Sequence, residues 1–497
     1  MDRKIGLPTS YATVIAVVSG WPLAASADLV DLIPQLQSPI EIAAARANQS
    51  VYDLLTTPQG PNETATCDPF LIRDPGQGAC TGEVFRVFTQ TRELVHNANE
   101  LTGEGPTGFS LGLDRQRLGF ALRWTAAEEL AAQGSAATRF SGSQLNSLAA
   151  RLSALRFGAR GFRVVATEVG GEQWLASSGV APLGGGASAD DIGLAKRWGG
   201  FIDGSFGYGS QDDTTQLTVP GSENAFDYDG LDVTAGLDYR LGKSTVLGVI
   251  VGYTERRIDF DSTKSVVDGS IESDGQSLMM YALWEREDAF ISGSIGVQSL
   301  GHDMIRRIAY PSLNPLIQPV DETALSSTDS TTLLGSFSIG HDWRRGGFTF
   351  EPYLRGEFES IRIDGFSERN ADGFDFTYGK QTINSFDAAF GIKLQQVFTP
   401  RFGIAIPFVR VELHRAFGND ERTIDAVYSG IAEATGLEGA QNFNLSTNAP
   451  DDQFYLGAAG VSLVFKHGLQ GFLQYQQTFE LEHTDDQVIA GGVRFEF

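Results

Sequence analysis

The apolar residues of this chain change period once. Between Asp28 and about Gly161 the spacing is helical: Val84, Val87, Phe88, Thr91, Leu94, Val95, Ala98 and Leu101 recur at steps of three and four, as do Leu145, Leu148, Leu152 and Leu155. Two more helices are predicted from Ile40 to Leu55 and from Asp114 to Gln133, with Gly103, Gly105, Pro106, Gly108, Gly134 and Gly142 as separators. From Arg163 to about Ala189 no period holds, and the small residues of Val180–Ala189 predict a linker. After Trp198 the period becomes two and stays so to the last residue.

That alternation is carried by whole strands. Phe348, Phe350, Pro352, Leu354, Gly356 and Phe358 share one face, while Thr349, Glu351, Tyr353, Arg355 and Glu357 share the other. Leu469, Gly471, Leu473, Tyr475, Phe479 and Leu481 oppose Gln470, Gln474, Gln476, Thr478 and Glu480, and Val233, Ala235, Leu237 and Tyr239 oppose Asp232, Thr234, Gly236 and Asp238. The pattern predicts twelve strands: Gly199 to Gln211, Phe226 to Arg240, Ser244 to Phe260, Ile271 to Trp284, Ala289 to Met304, Ser330 to Trp343, Phe348 to Ile363, Thr382 to Val397, Phe402 to Phe417, Gln453 to Phe465, Leu469 to Leu481 and Gln487 to Phe497. Alternation alone does not separate a soluble sandwich from a membrane barrel. Connection lengths do. Tight turns at Leu241–Lys243, Arg286–Asp288, Arg344–Gly347, Phe398–Arg401 and Lys466–Gly468 alternate with longer loops, one of them reaching from Gly418 to Asp452. Short turns at one end, long loops at the other and an even strand count are the marks of an outer-membrane barrel. The predicted fold is therefore mainly β, a twelve-stranded antiparallel transmembrane barrel (198–497) preceded by a small α-helical region (28–161) and a linker (162–197).

Composition and charge refine this reading. The chain has 497 residues, of which 41% are hydrophobic and 20% charged, with a net charge of −25. A mean hydropathy of −0.12 and the lack of any apolar run of about 20 residues beyond the N-terminus exclude transmembrane helices. Net acidity excludes nucleic acid as a partner. Charge divides between the two ends: every tight turn carries Lys or Arg, while the long loops carry Asp212, Asp213, Glu223, Asp321, Glu322, Glu368, Asp372, Asp420, Glu421, Glu433 and Glu438. Arg3 and Lys4, an apolar stretch from Ala12 to Leu23 and the Ala25-Ser26-Ala27 pattern predict an export signal over 1–27. In the oxidising compartment beyond, Cys67 and Cys80 are expected to pair, closing a loop worth on the order of 3 kcal/mol; without accompanying histidines they make a poor zinc site.

The order and spacing of several motifs resemble the autotransporter translocator family. Leu231-Asp232-Val233-Thr234-Ala235-Gly236-Leu237-Asp238-Tyr239-Arg240 and Leu247-Gly248-Val249-Ile250-Val251-Gly252-Tyr253 are similar to its second and third strands. Glu351-Pro352-Tyr353-Leu354 and the ending Val493-Arg494-Phe495-Glu496-Phe497 match as well, and the likeness covers about three-fifths of the chain. The resemblance implies type V secretion: insertion in the bacterial outer membrane with long loops outside, and display or translocation of the N-terminal region. It also implies that Val493, Phe495 and Phe497 form a C-terminal signal for the barrel-assembly machinery, with periplasmic chaperones and outer-membrane lipid as further partners and a monomeric state. An interfacial anchor for Phe497 is the alternative reading. The family's usual long passenger is missing, and no close Asn pair suited to self-cleavage stands near the linker.

No H-E-x-x-H, P-loop, G-x-S-x-G or C-x-x-C pattern occurs, and no cofactor is expected. Glu351, Arg355, Glu357, Arg410 and Glu412 are expected to line a wet lumen, with His414 beside a carboxylate; a hydrolytic use of the same residues, Glu359 included, is the competing reading. Arg151, Arg156 and Arg160 are expected either to dock on the acidic lumen, should this helix thread the barrel, or to form a solvated basic face. Three functions remain open: display of the helical region without catalysis, a small pore for ions or solutes, and a surface hydrolase.

Overall fold

The computed structural model describes residues 28–36, 38–58, 63–127, single positions between 129 and 156, 164–169, 172–177, and 197–496 apart from 212–224, 243, 261–266, 419–421, 433–442, 447–451, 466–468 and 482–483. The expected export signal and Phe497 lie outside these residues.

Twelve antiparallel strands close into a barrel. They are β1 Trp198–Gln211, β2 Phe226–Leu241, β3 Thr245–Phe260, β4 Asp268–Arg286, β5 Ala289–Tyr310, β6 Val320–His341, β7 Phe348–Ile363, β8 Gln381–Gln396, β9 Gly403–Phe417, β10 Gln453–Phe465, β11 Gln470–Phe479 and β12 Thr484–Glu496. Each pairs with its sequence neighbour. The ladder Thr484–Glu496 against Gln211–Gly199 joins β12 to β1, so no sheet edge is left in lipid. The outward face is apolar: Leu237, Val251, Leu278, Ile295, Phe337, Leu354, Phe390, Val411 and Leu473 are exposed, whereas their neighbours Asp238, Ser277, Glu351, Arg410 and Gln474 are buried within. In water that outer face would be a liability; against acyl chains it is the stable arrangement.

The strands begin close to where alternation places them, with one difference. Residues 305–329, expected to be mostly loop, instead continue β5 and β6 to Tyr310 and Val320. A tilted strand needs only about 9–11 residues to cross the bilayer, so these 22-residue strands project well beyond it. The extension is held by burial of Met304, Ile308, Tyr310 and Ala324 beneath the helical region. The long loops also form a small sheet, Phe366–Ser367, Phe376–Tyr378, Thr423–Tyr428 and Phe443–Ser446, whose short strands periodicity did not reveal.

The N-terminal helices follow their local signals. Asp28 caps a 3₁₀ turn, Leu29–Gln35, that was not anticipated. Helix α1, Pro39–Thr56, starts at Ser38, whose Oγ accepts from the Glu41 amide, with Pro39 in the first turn. Helix α2, Glu83–Thr102, stops at Gly103 in the left-handed conformation. Helix α3, Arg115–Trp124, is capped by Asp114 and is shorter than the predicted Asp114–Gln133. The chain leaves the helix there because the Thr125 hydroxyl bonds the Leu122 carbonyl and Ala127 takes a positive φ. Residues 145, 148, 149, 152, 155 and 156 are helical, the positions of the predicted fourth helix. Within the expected linker, Val164–Val169 and Glu172–Ser177 pair as antiparallel strands; the β-branched Val164, Val165, Thr167 and Val169 favour the first of them.

Candidate functional site

The lumen and its long-loop mouth bring the polar residues together. Inward-facing positions of β7, β8 and β9 form one connected set. Glu412 is at its centre: Arg355 Nη2 is 3.0 Å from Glu412 Oε2, His414 Nε2 is 3.0 Å from the same oxygen, and the Tyr353 hydroxyl donates to Oε1. His414 Nδ1 lies 2.7 Å from Asp387 Oδ1 and its ring stacks on Phe454 at 4.6 Å. Arg355 also reaches Glu357, at 3.4 Å, and Arg410 donates to Gln476 Oε1 at 2.8 Å. Both ring nitrogens of His414 are thus held by carboxylates, which leaves neither lone pair nor proton directed at a substrate.

Across the lumen, Asp232 accepts from Arg256, Thr254 and Ser205, and Asp238 accepts from Arg494 at 3.1 Å. Arg494 points inward between Val493, which faces out, and Phe495. Buried charges with partners on neighbouring strands brace a wall whose outer face has only lipid to hold it.

The fourth helical stretch lies inside this wall. Leu145, Leu148, Leu152 and Leu155 are buried against Phe201, Val246, Ile250, Met279, Tyr281, Leu283, Phe290, Leu334 and Tyr353. Arg156, also buried, lies 3.4 Å from Asp342 and pairs with Glu351, its guanidinium 3.5 Å from the centre of the Phe290 ring. Arg151 and Arg160 fall outside the described residues. A cavity of about 60 Å³ remains between this stretch and the wall, lined by Leu152, Arg156, Phe290, Glu351, Tyr353 and Lys393 among others. It has room for a few waters and for no larger solute.

At the mouth, helices and loops share one hydrophobic core. Leu29, Leu55, Phe88, Leu94, Leu118 and Leu122 are buried together with Phe226, Phe260, Ile308, Phe374, Phe376, Tyr428 and Phe443. Each such side chain contributes about 1.5–3 kcal/mol through removal from water. Polar contacts align the join. The Tyr428 hydroxyl donates to Asn48 Oδ1 at 2.7 Å, Asn314 Nδ2 to the Ser110 carbonyl at 2.8 Å, and Arg306 reaches Glu368, the Phe374 carbonyl and the Trp124 carbonyl. Gly373 makes the closest approach, since a Cβ there would lie 2.7–2.9 Å from Arg86 and Val87, and its φ of +95° disfavours any side chain.

Within α2, burial pushes the Glu93 carboxyl up to about 7 despite Arg92 beside it, and burial, aided by the Arg92 charge, lowers His96 to about 4. Cys67 and Cys80 are bonded to one another at the edge of this core. Among the described residues no group of three or more His, Cys, Asp or Glu could hold a metal ion. Sequence reasoning gave no inward role to Asp342, Arg306 or Arg494, and read Glu368 only as one of the long-loop acids. Asp342 lies at a strand end and Arg306 and Glu368 in what was read as loop; Arg494 was in plain sight, at an inward position of the terminal strand.

The family model of the autotransporter β-domain matches residues 200–476. The chain belongs to the autotransporter family. The autotransporter barrel is likewise similar to solved structures, each at low identity. The translocator domain of NalP from Neisseria meningitidis is 14% identical over 61% of this chain and 89% of that one, with a TM-score of 0.46. The β-domain of the Bordetella autotransporter BrkA is 13% identical over 60% and 99%, with a TM-score of 0.40. The transport unit of AIDA-I from Escherichia coli is 13% identical over 62% and 93%, with a TM-score of 0.37. No curated protein matches the chain. As an autotransporter β-barrel the protein resides in the bacterial outer membrane, in contact with its lipid.

Proposed function

We propose that this autotransporter carries its own N-terminal helical domain to the cell surface and keeps it there, docked on the long loops, with the following helical stretch closing the lumen. The observation that carries this reading is the single hydrophobic core built from Leu29–Ala127 and the long-loop ends of the strands. In the proposed orientation the long loops face the exterior and the tight, basic turns face the periplasm. The chain enters β1 from the tight-turn end, because Trp198 pairs with Tyr239 next to the Leu241–Gly242 turn. To connect a domain at the opposite mouth, the proposed path of the intervening chain is the lumen, where Leu145, Leu148, Leu152, Leu155 and Arg156 lie.

Export precedes this arrangement: the signal over 1–27 is removed, and periplasmic chaperones and the assembly machinery take up the barrel through Val493, Phe495 and Phe497. The protein acts without catalysis, since His414 is saturated by Asp387 and Glu412. A conducting pore is disfavoured by the packed contents of the lumen. The deciding experiment is protease treatment of intact cells. Cleavage in the exposed stretch Arg73–Ala79, with the barrel left whole, supports display; complete protection of that stretch overturns it.

A further inference from the structure

Outside the barrel's lipid belt, the three most exposed large apolar side chains among the described residues are Leu316, Ile72 and Phe70, at 88%, 81% and 69%. They sit on two loops. Phe70 and Ile72 lie within the segment closed by the Cys67–Cys80 disulfide, and Leu316, with Leu313 at 56%, lies on the tip joining β5 to β6. One patch of the helical domain anchors both. Arg92 of α2 donates to the Leu71 carbonyl and packs its guanidinium 3.6 Å from the centre of the Phe109 ring; the next two residues, Ser110 and Leu111, hold Asn314 and Leu313.

These loops are held rigid, so their apolar ends are presented at little conformational cost. The disulfide constrains one. The other has Pro311, Pro315 and Pro319, and its turn is closed by Asn314, which accepts from the Leu316 amide through Oδ1 and from the Ile317 amide through its carbonyl, each at 3.0 Å.

The barrel's own bilayer does not cover them. The continuous outward apolar face of the β5–β6 ribbon ends near the pair Val297–Leu333; above it Ser299, Asp303, Arg307 and Asp329 face out, with Ile305–Leu325 as a single apolar pair among them. The ribbon's last pair, Tyr310–Val320, is thirteen residues further along. At about 3.4 Å per residue and a tilt of about 40°, the tip stands roughly 30 Å above that boundary.

We propose that Phe70, Ile72, Leu313 and Leu316 dock the displayed domain onto a second, zwitterionic lipid surface facing the one that holds the barrel. The inference rests on the outward orientation proposed above. Two convex tips with apolar ends suit a soft bilayer, into which separate side chains insert independently. They suit a second copy of this chain poorly, because two convex tips within the same acidic surround are not self-complementary. Charge selects the lipid. The described residues of 63–82, 103–110 and 311–319 carry Glu63, Asp68, Asp74 and Glu104 against Arg73, with no charge on the second loop. An acidic collar repels anionic headgroups and complements the outermost cation of phosphatidylcholine.

The test is flotation of the full-length protein, held in nanodiscs, with vesicles of pure phosphatidylcholine or of phosphatidylglycerol. Phosphatidylcholine vesicles are expected to carry the wild type upward and to bind at least tenfold more of it than phosphatidylglycerol vesicles. The combined Phe70→Ser, Ile72→Ser, Leu313→Ser, Leu316→Ser variant is expected to lose at least tenfold in partitioning; all four positions are exposed, and resistance to trypsin matching the wild type verifies its fold. No flotation of the wild type, equal flotation of the variant or preference for the anionic vesicles overturns the proposal. So does a dimer in sedimentation that the four substitutions abolish, which would assign the surface to a second copy. In intact cells, Gln318→Cys labelled by a membrane-impermeant maleimide checks orientation separately. Protection of that thiol overturns outward display and with it the facing membrane, whereas failed flotation with the thiol accessible overturns the lipid contact alone.

Discussion

Replacing Arg156 by Met tests whether the lumen helix is held by charge. The guanidinium is 5% exposed, facing Glu351 and Asp342 side chains that are 2% and 4% exposed, and it packs over Phe290. Methionine retains much of the stem and its packing but takes from Glu351 its paired guanidinium, leaving it buried with Lys393 as the cation in its field, while Asp342 keeps Arg344. Removing one member of a buried pair costs about 3–5 kcal/mol because the other charge is left without compensation. At the lower figure, and at about 1.4 kcal/mol per tenfold, the undocked population rises roughly a hundredfold. Single-channel recording in planar bilayers reads that population directly as open time. The expected record is a wild type almost always closed and a variant open about a hundred times more often. Adding Glu351→Gln to Arg156→Met removes the stranded charge and is expected to restore closure. An open fraction for Arg156→Met within a few-fold of wild type, from barrels that still shift on heating in gel electrophoresis, would refute the reasoning.

Three other outcomes follow from the helical domain. Its fold should lose about 3 kcal/mol when Cys67 and Cys80 are both changed to Ser, because the closed loop spans a separation of 13 residues; domain and barrel melting, followed separately by calorimetry, should show the loss in the domain alone. Gly373→Ala should undock α2 from the loops, since neither its φ nor the space beside Arg86 admits a methyl group, and hydrogen exchange of Glu83–Thr102 reports it. The third outcome is pH dependence. Glu93, raised to about 7 in the fold, makes the domain less stable as pH climbs from its unfolded value of 4.5 to 7; His96, lowered to about 4, makes it less stable as pH falls from 6.5 to 4. Each is worth up to about 3 kcal/mol. They offset one another, so urea midpoints of the wild type should change little between pH 7 and pH 4.5. Glu93→Gln should become less stable on acidification and His96→Gln more stable; slopes of equal sign in the two variants would contradict the assignment.

Membrane strands are unusually legible in a sequence because two solvents act on alternate residues. Lipid selects Val233, Leu354 and Leu473, water and buried ion pairs select Asp232, Arg355 and Gln474, and the period of two follows whatever the neighbours do. The strand number and the closed topology were readable for that reason. Helices α1 and α2 were readable through their apolar stripes, and the end of α2 through the glycines that follow it. Above the bilayer only one solvent remains, and there local pattern loses its hold. Ile308, Tyr310, Phe374, Phe376 and Phe443 lie in segments that read as loops because their partners are helical residues hundreds of positions away. The pairing of Arg156 with Glu351, and of Arg306 with Glu368, likewise depends on which strands and helices the closed barrel brings face to face. A chain's own alternation determines which side of a strand meets lipid; only tertiary closure determines what fills the space within and what is packed above it, because those contacts join residues whose separation along the chain carries no periodic signal.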